Sequence, residues 1–113
     1  MILYRPVGER ELALIKQSGY TAFPPRLPEQ PIFYPVLTEQ YAAEIATKWN
    51  TKDPTSGFKG YVLKFRVDDD FISQYDVQIV GDTYHQELWV EAEKLDEFNR
   101  HIIGKIEVIH TFK

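Results

Sequence analysis

Three adjacent carboxylates, Asp68-Asp69-Asp70, are the first candidates for chemistry in this sequence. Carboxylate oxygens are the ligands that Mg²⁺ and Ca²⁺ prefer. Successive side chains of a strand point to opposite faces, so the three converge only if the backbone turns there. Asp is also favoured at a helix N-terminus, as a cap and as a partner of the helix dipole. We therefore predict a helix start and no metal site, and we rank a metal-dependent hydrolase last among the functions considered.

A single carboxylate, Glu87, lies in the strand-like run YHQELWV (84–90). Alternation along the run places Glu87 and Trp89 on one face and apolar side chains on the other. A carboxylate between an aromatic ring and a sheet is shielded from water, where it can stabilise a developing sugar cation or act as a base. Glu91 shares this face and makes it polar, which equally fits a solvent-facing glutamate. Both interpretations of Glu87 remain open on the residue pattern.

Two arginines are candidates for binding an anion. Arg5 stands at the end of the first predicted strand, where a guanidinium can hold a phosphate or carboxylate through two hydrogen bonds. An ion pair with one of the acidic residues is the alternative. Arg26 lies in the proline-rich segment FPPRLPEQPIFYPV (23–36), which has the spacing of a polyproline ligand for another module. Because the segment lies between two predicted strands, we interpret it as a rigid connection that holds Arg26 over a pocket.

Other catalytic patterns are absent from the sequence. His85, His101 and His110 are widely spaced and match no metal-binding motif. None of the serines has the G-x-S-x-G context of a hydrolase nucleophile. The sequence contains no cysteine, which excludes disulfides, thiolate catalysis and Cys-based zinc sites, and which suits a reducing compartment.

The length and composition are those of one domain with its own core. The sequence has 113 residues, of which 43% are hydrophobic, so we predict a single domain, 1–113. Its formal net charge of −4 makes a nucleic-acid partner or an anionic-membrane surface an unfavoured interpretation. No apolar run has the length of a membrane span, and we recognise no secretion signal. We expect a cytoplasmic protein without a membrane partner.

The elements predicted from periodicity have to position these candidate residues. The pattern predicts strands over 2–5, 32–37, 59–68, 77–80, 84–91 and 105–112, and helices over 9–18, 38–49 and 93–102 with a helical turn over 71–75. Pro6 is expected to end the first strand. Thr38 suits the N-cap of the second helix, and Trp49 falls on its buried face with Tyr41. The order predicts an α+β fold with a mixed, mainly antiparallel sheet, two early helices and one short late helix.

Three segments carry a resemblance to a known group of proteins. They are LYRPVGERELALIKQSG (3–19), FPPRLPEQPIFYPVLTEQYAAEIATKWN (23–50) and QELWVEAEKLDEFNRHIIGKIEVI (86–109). In this order they resemble a family of short bacterial proteins that carries the label ADP-ribosylation/crystallin. The layout also resembles the ADP-ribosyltransferase fold, in which a first strand with Arg or His, a second with Tyr or Ser/Thr and a late strand with Glu line one site.

The resemblance implies roles for five residues in the cleavage of NAD, the implied co-substrate. Arg5 would hold the diphosphate of NAD, and Tyr34 would pack on the nicotinamide ring. Glu87 would bind the nicotinamide ribose and stabilise the cation that forms as nicotinamide leaves. Thr38 would support the site with its hydroxyl, and Arg26 would contact a phosphate or an acidic acceptor.

Two functions compete on this basis. The first is NAD-dependent transfer of ADP-ribose to an unknown acceptor, such as a protein, with Glu87 stabilising the ribosyl cation. The second is a non-catalytic module of the same fold that binds a nucleotide or a partner protein. The first requires Arg5, Tyr34 and Glu87 to meet in one cleft. His85 stands two residues before Glu87, where arginine-modifying members of the resembled fold carry Gln or Glu, and this difference favours the second function.

Overall fold

A central antiparallel sheet carries the helices in the computed structural model, which describes every residue from Met1 to Lys113. The strands are β1 (Ile2–Val7), β2 (Ile32–Phe33), β3 (Gly60–Val67), β4 (Gln78–Ile79), β5 (Gln86–Glu87), β6 (Val90–Glu91) and β7 (Ile102–Phe112). The helices are α1 (Glu9–Gln17), α2 (Glu39–Lys48), α3 (Asp69–Ile72) and α4 (Leu95–Arg100), with 3₁₀ turns at Asn50–Lys52, Pro54–Ser56 and Ala92–Lys94. All strand pairs are antiparallel, and the predicted α+β class is confirmed.

Strand β3 is the centre of the sheet. It pairs with β1 on one side and with β7 on the other. Val36 extends the sheet beyond β1, because it bridges Tyr4 on one side and Glu87 of β5 on the other. Strand β5 then pairs with β4. The two-sided bridge at Val36 brings Glu87 close to the start of the chain.

Strand β1 continues through Pro6, so the predicted strand end at Pro6 is wrong. Tyr4 exchanges two backbone hydrogen bonds with Val36, each 2.8 Å long, which directs the N–H and C=O groups of Tyr4 away from β3. Backbone groups alternate sides along an antiparallel strand, so the nitrogen of Pro6 also points away from β3. The missing N–H therefore removes no bond to β3, and Pro6 lies at a strand edge, where proline is tolerated.

Two other predicted strands are interrupted in the structure. In the range 32–37 only Ile32–Phe33 is a regular strand, and Val36 adds an isolated bridge. The range 84–91 divides into β5 and β6, which pair with different partners. Strand β6 pairs with β2, while β5 stays beside β4 and Val36. Periodicity along one segment does not reveal that its two halves belong to different sheets.

Two hydrophobic clusters attach the helices to the sheet. The larger contains 16 buried residues, with Phe33 and Phe98 among its largest side chains. The smaller contains four buried residues and packs Ala46 of α2 on Val62 of β3. A Cβ atom at Gly60 would lie 2.7 Å from the carbonyl oxygen of Ala46, so glycine is required for this close approach. No helix combines the length and apolarity needed to cross a bilayer.

The acidic triplet begins α3, as the sequence predicted. The side chain of Asp68 accepts a hydrogen bond from the backbone nitrogen of Phe71 at 3.3 Å, and Asp69 pairs with the N-terminal amine. No group of three or more His, Asp or Glu side chains is arranged to hold a metal ion. The triplet therefore stabilises the junction between β3 and α3.

Candidate functional site: an arginine-lined groove

A groove of about 650 Å³ opens where the end of β1, the start of α1 and the end of α2 meet the proline-rich segment. This volume falls within the range of small-molecule sites. Three arginines, two acids and three aromatic residues contribute to its walls, namely Arg5, Arg10, Arg26, Glu11, Asp53, Tyr34, Tyr41 and Trp49. Pro24 and Pro25 form part of one wall. The proline-rich segment thus borders a pocket and carries Arg26 into it.

Arg5 is already paired with an acid of the following helix. Its Nε donates to Glu11 Oε2 at 2.7 Å, and its Nη2 donates to Glu11 Oε1 at 2.9 Å. Burial is the largest single influence on Arg5 and lowers its pKa, but the charge of Glu11, its hydrogen bonds and the nearby Tyr34 together offset this and raise the pKa of Arg5. The alternative interpretation of Arg5, an ion pair with an acid, is therefore the one present. A phosphate that binds at Arg5 has to share the guanidinium with Glu11.

Arg26 lacks a comparable partner. Its Nε is shielded from solvent and makes no hydrogen bond. Burial, and secondly the charge of Arg5, lower the pKa of Arg26. A buried donor without a partner is unfavourable, and so is a guanidinium close to a second one. Both penalties fall when an anion binds between the two arginines, so this part of the groove is suited to a phosphate or a carboxylate.

Aromatic rings flank the arginines. The guanidinium carbon of Arg5 lies 4.6 Å from the ring centre of Phe33 and 6.0 Å from that of Tyr34. Tyr34 is 40% exposed and Trp49 is 70% exposed. The prediction that Trp49 lies on the buried face of the helix is wrong, because α2 ends at Lys48 and the chain then enters a 3₁₀ turn. Exposed rings beside arginines are suited to stacking on a base or a nicotinamide ring.

Glu87 is buried, and both of its carboxylate oxygens accept hydrogen bonds. The hydroxyl of Tyr41 donates to Oε2 at 2.9 Å, and Nε1 of Trp89 donates to Oε1 at 2.7 Å. Glu87 is only 8% exposed, so the shielded carboxylate is the interpretation that the structure supports. Burial, together with the hydrogen bond to Glu87, raises the pKa of Tyr41 to about 12. Tyr41 lines the groove and Glu87 does not, so Tyr41 separates the carboxylate from the groove.

Arg5 and Glu87 point to opposite faces of the sheet. Directly opposed residues of antiparallel strands share a face, so Tyr4, Val36 and Glu87 lie on one face. Arg5 follows Tyr4 and points to the other face. The groove is lined by Arg5 directly and is linked to Glu87 only through Tyr41. The two charged groups therefore do not meet in one cleft, because Arg5 lines the groove whereas Glu87 lies behind Tyr41, a residue of the groove wall.

A second polar cluster packs behind Tyr41. The ring of His85 stacks on Tyr41 with the ring centres 4.4 Å apart, and its Nε2 lies 3.3 Å from Glu44 Oε2. Glu44 also accepts hydrogen bonds from the Tyr84 hydroxyl and from Lys48 Nζ. These hydrogen bonds, with that from Tyr84 the largest cause, lower the pKa of Glu44 to about 2. The cluster attaches the turn before β5 to α2 and holds the ring of Tyr41 from behind.

The candidate residues divide into two groups. Arg5, Arg26 and Tyr34 line the groove, whereas Thr38 and Glu87 do not. Thr38 is the N-cap of α2, as predicted: its Oγ1 accepts from the backbone nitrogen of Tyr41 at 3.1 Å. The same hydroxyl donates to the carbonyl oxygen of Tyr84 at 3.1 Å. Thr38 therefore influences the groove by setting where α2 begins.

Sequence reasoning missed the two residues that connect the candidate groups. Helical periodicity predicts only that Tyr41 packs on the buried face of α2, and no sequence pattern singles out Glu11. The Tyr41 hydroxyl contacts a carboxylate 46 positions further along the chain, and no local pattern encodes that contact. The sequence offers one indirect indication of Tyr41. Because Thr38 is the N-cap of α2, the residue three positions later, Tyr41, lies in the first turn of the helix and donates its backbone N–H to the cap.

Comparison of the chain with models of protein families, with curated proteins and with solved structures found no match. The fold and the groove define it as an α+β protein with an arginine- and aromatic-lined cleft. The resemblance to ADP-ribosyltransferases stays a prediction.

Proposed function

We propose that the groove binds NAD and that the protein transfers ADP-ribose from NAD to an acceptor such as a protein side chain. One observation carries this proposal: an arginine with an unpaired nitrogen, exposed aromatic rings and a tyrosine bound to a buried carboxylate border the same groove. A diphosphate is bound by cations, a planar ring by aromatic surface, and a ribosyl cation by a carboxylate. The groove supplies the cations and the aromatic surface, and Tyr41 of its wall is hydrogen-bonded to the carboxylate.

Arg26 is the principal phosphate ligand in this proposal. Arg5 already donates to both carboxylate oxygens of Glu11, so a phosphate at Arg5 competes with that ion pair. Arg26 forms no such ion pair, and its shielded Nε makes no hydrogen bond within the protein. Three arginines against two acids leave the groove walls with one net positive charge, although the whole chain carries −4. An anionic ligand is therefore attracted to this part of the surface in preference to the rest.

The reaction breaks the bond between C1′ of the ribose and the nicotinamide nitrogen. The bonding electron pair leaves with nicotinamide, and positive charge spreads over C1′ and the ring oxygen. A nucleophile of the acceptor then bonds to C1′ and releases its proton to water. Tyr34 would pack on the departing nicotinamide, and Glu87 would stabilise the cation from within a shielded site. This division of roles follows the resemblance described above.

A non-catalytic nucleotide-binding module is the second candidate. Both oxygens of Glu87 are occupied within the protein, and Glu87 does not line the groove. A carboxylate in this position also serves to hold Tyr41 and Trp89 in place. Under this function the groove binds a nucleotide, or an acidic segment of a partner protein, without cleaving it.

Nicotinamide release from NAD distinguishes the two functions. Wild type, Glu87→Gln and Glu91→Gln are compared for turnover, and NAD binding is followed by NMR titration of the same samples. Glu91 is the matched control because it is an exposed glutamate of β6 that does not line the groove. We expect Glu87→Gln to lower kcat at least about 100-fold, with little change in NAD affinity and with no effect of Glu91→Gln.

Each result has a defined consequence. NAD binding without nicotinamide release by the wild type identifies the binding module. Equal turnover by wild type and Glu87→Gln removes Glu87 from the mechanism. A titration in which the signals of Tyr34 and Trp49 do not respond to NAD rejects the groove as the nucleotide site.

We also propose that the protein acts in the cytoplasm. The chain contains no cysteine, which suits a reducing compartment. Fractionation of cells that express the protein, with detection by a specific antibody, tests this location.

A further inference from the structure

Tyr41 is the side chain that both lines the groove and contacts Glu87. Its hydroxyl donates to Glu87 Oε2 at 2.9 Å, while the residue forms part of the groove wall. The other partner of Glu87 is Nε1 of Trp89, which does not line the groove. An effect of Glu87 on a bound molecule therefore passes through Tyr41 in this arrangement.

The side chain of Tyr41 is held in place from several sides. Its backbone nitrogen donates to the cap residue Thr38 at 3.1 Å, which fixes its place in the first turn of α2. Its ring stacks on His85 with the planes inclined by 19°. The ring also packs against the smaller hydrophobic cluster, which includes Val36 and Ala42. Rotating Tyr41 to expose Glu87 would break the stack, the packing and the hydrogen bond together, so Tyr41 is placed as a fixed contact.

The hydroxyl of Tyr41 is chemically suited to transmit the charge of Glu87. A phenolic hydroxyl carries one hydrogen and can also accept. The hydrogen is committed to Glu87, so a group that reaches the hydroxyl from the groove meets the oxygen as an acceptor. Donation to a carboxylate is a charge-assisted hydrogen bond, which polarises the donor oxygen and makes it a better acceptor. Because the pKa of Tyr41 is raised to about 12, the hydroxyl keeps its proton at neutral pH.

We propose that Tyr41 Oη, polarised by Glu87, is the atom that contacts the ribose of the bound nucleotide. This inference rests on the proposed function and changes one part of it: Tyr41 becomes the catalytic contact, and Glu87 becomes a positioning residue that acts through it. In the bound state Oη accepts a hydrogen bond from a ribose hydroxyl. As the bond to nicotinamide breaks, the same oxygen faces the positive charge at C1′. No bond forms to Tyr41, and its proton stays in the hydrogen bond to Glu87.

The first test compares Tyr41→Phe with Tyr61→Phe in the nicotinamide-release assay. Phenylalanine at position 41 keeps the ring, the stack on His85 and the groove wall, and removes only Oη. Tyr61 is the matched control, because it is a partly buried tyrosine of β3 outside the groove. We expect Tyr41→Phe to lower kcat at least as much as Glu87→Gln, by about 100-fold or more, while KM for NAD stays within about twofold, and Tyr61→Phe to match the wild type.

The double variant Tyr41→Phe/Glu87→Gln makes this test specific. Two residues that act as one unit lose no more activity together than the more damaging single change. Multiplicative losses in kcat, or unchanged kcat in Tyr41→Phe, show that Glu87 acts on the substrate independently and overturn the inference.

A second test needs no turnover. The sequence has two tryptophans, so NMR shows two indole N–H signals, and Trp49→Phe assigns them. ADP-ribose in the groove should move the signal of Trp49 at the rim and also that of Trp89, whose indole is bonded to Glu87. In Tyr41→Phe we expect ADP-ribose still to move the Trp49 signal and no longer to move that of Trp89.

The outcomes separate the inference from the proposed function. Loss of the Trp89 response in Tyr41→Phe supports the role of Tyr41 even where NAD is not cleaved, in which case only the transferase activity is rejected. If the wild type binds ADP-ribose and the indole N–H signal of Trp89 does not move, the inference is overturned and the groove remains a nucleotide site. A wild type that binds neither NAD nor ADP-ribose overturns both.

Discussion

The Arg5–Glu11 ion pair supports one wall of the groove, and its removal should destabilise the whole protein. Glu11→Ala removes both hydrogen bonds to the guanidinium, at 2.7 and 2.9 Å, and leaves Arg5 without a counter-charge. Removing one partner of a buried pair costs about 3–5 kcal/mol. The side chain of Arg5 is 7% exposed and that of Glu11 is 22% exposed. Water therefore reaches the vacated space in part, and we expect the lower end of the range, about 3 kcal/mol.

Urea unfolding followed by circular dichroism measures this loss directly, and thermal unfolding provides a second measurement. An unfolding entropy of about 2.1 cal/mol/K per residue corresponds, for a chain of this length, to a fall in Tm of about 4 °C per kcal/mol. The expected loss therefore lowers Tm by about 12 °C. Glu9→Ala is the matched control, because Glu9 forms an exposed pair with Lys59 at 3.2 Å. Exposed pairs contribute at most about 1 kcal/mol.

Equal, small losses in Glu11→Ala and Glu9→Ala would refute the reasoning, since Arg5 would then be as well solvated as a surface arginine. The variant Arg5→Met/Glu11→Leu completes the test. It removes both charges and retains apolar volume, so it should be more stable than Glu11→Ala. If the double variant is no more stable, the loss comes from packing and not from an uncompensated charge.

Two more predictions concern residues next to the groove. Thr38→Ala should lower the free energy of unfolding by about 1 kcal/mol, because it removes the N-cap of α2, and Thr38→Ser should restore it. We expect the affinity for NAD to be unchanged in Thr38→Ala. Weaker NAD binding at unchanged stability would instead place Thr38 in the nucleotide site. Glu44 should make the fold sensitive to acid, because its hydrogen bonds lower its pKa from an ordinary 4.5 to about 2 in the folded protein. The contribution of Glu44 to stability is therefore fully present above about pH 4.5 and is lost as the pH falls toward 2. Tm between about pH 6 and pH 2 should therefore fall more steeply for wild type than for Glu44→Gln, and parallel curves would contradict this.

Local patterns predicted the features that depend on neighbours along the chain. Alternation over 59–68 predicted β3 to within one residue at each end. The sequence predicts a cap at Thr38 and a helix start at the triplet 68–70, and in the structure Thr38 and Asp68 each accept a backbone hydrogen bond as N-cap. Prediction failed at Pro6 and Trp49, whose surroundings depend on distant segments. Pro6 is tolerated because no strand pairs with its nitrogen, and Trp49 is exposed because α2 ends before it.

The candidate site was predictable only in part. Arg26 and Tyr34 were singled out from the sequence, and both line the groove. Arg5 also lines it, but its charge is held by Glu11, and only the packing of α1 beside β1 reveals this. The contact of Tyr41 with Glu87 joins α2 to β5, two elements between which the chain passes through β3, α3 and β4. Such contacts depend on tertiary packing, which periodicity does not describe.

By itself the sequence determined the α+β class, the capped helix starts and the stiff proline-rich segment, because each depends on residue types within a few positions of one another. Tertiary structure decided which charged groups meet. Val36 bridges Tyr4 and Glu87, and this pairing puts Arg5 and Glu87 on opposite faces with Tyr41 between the groove and the carboxylate. Strand register is selected by which face is buried in the assembled core, and a shift of one residue would exchange the two faces.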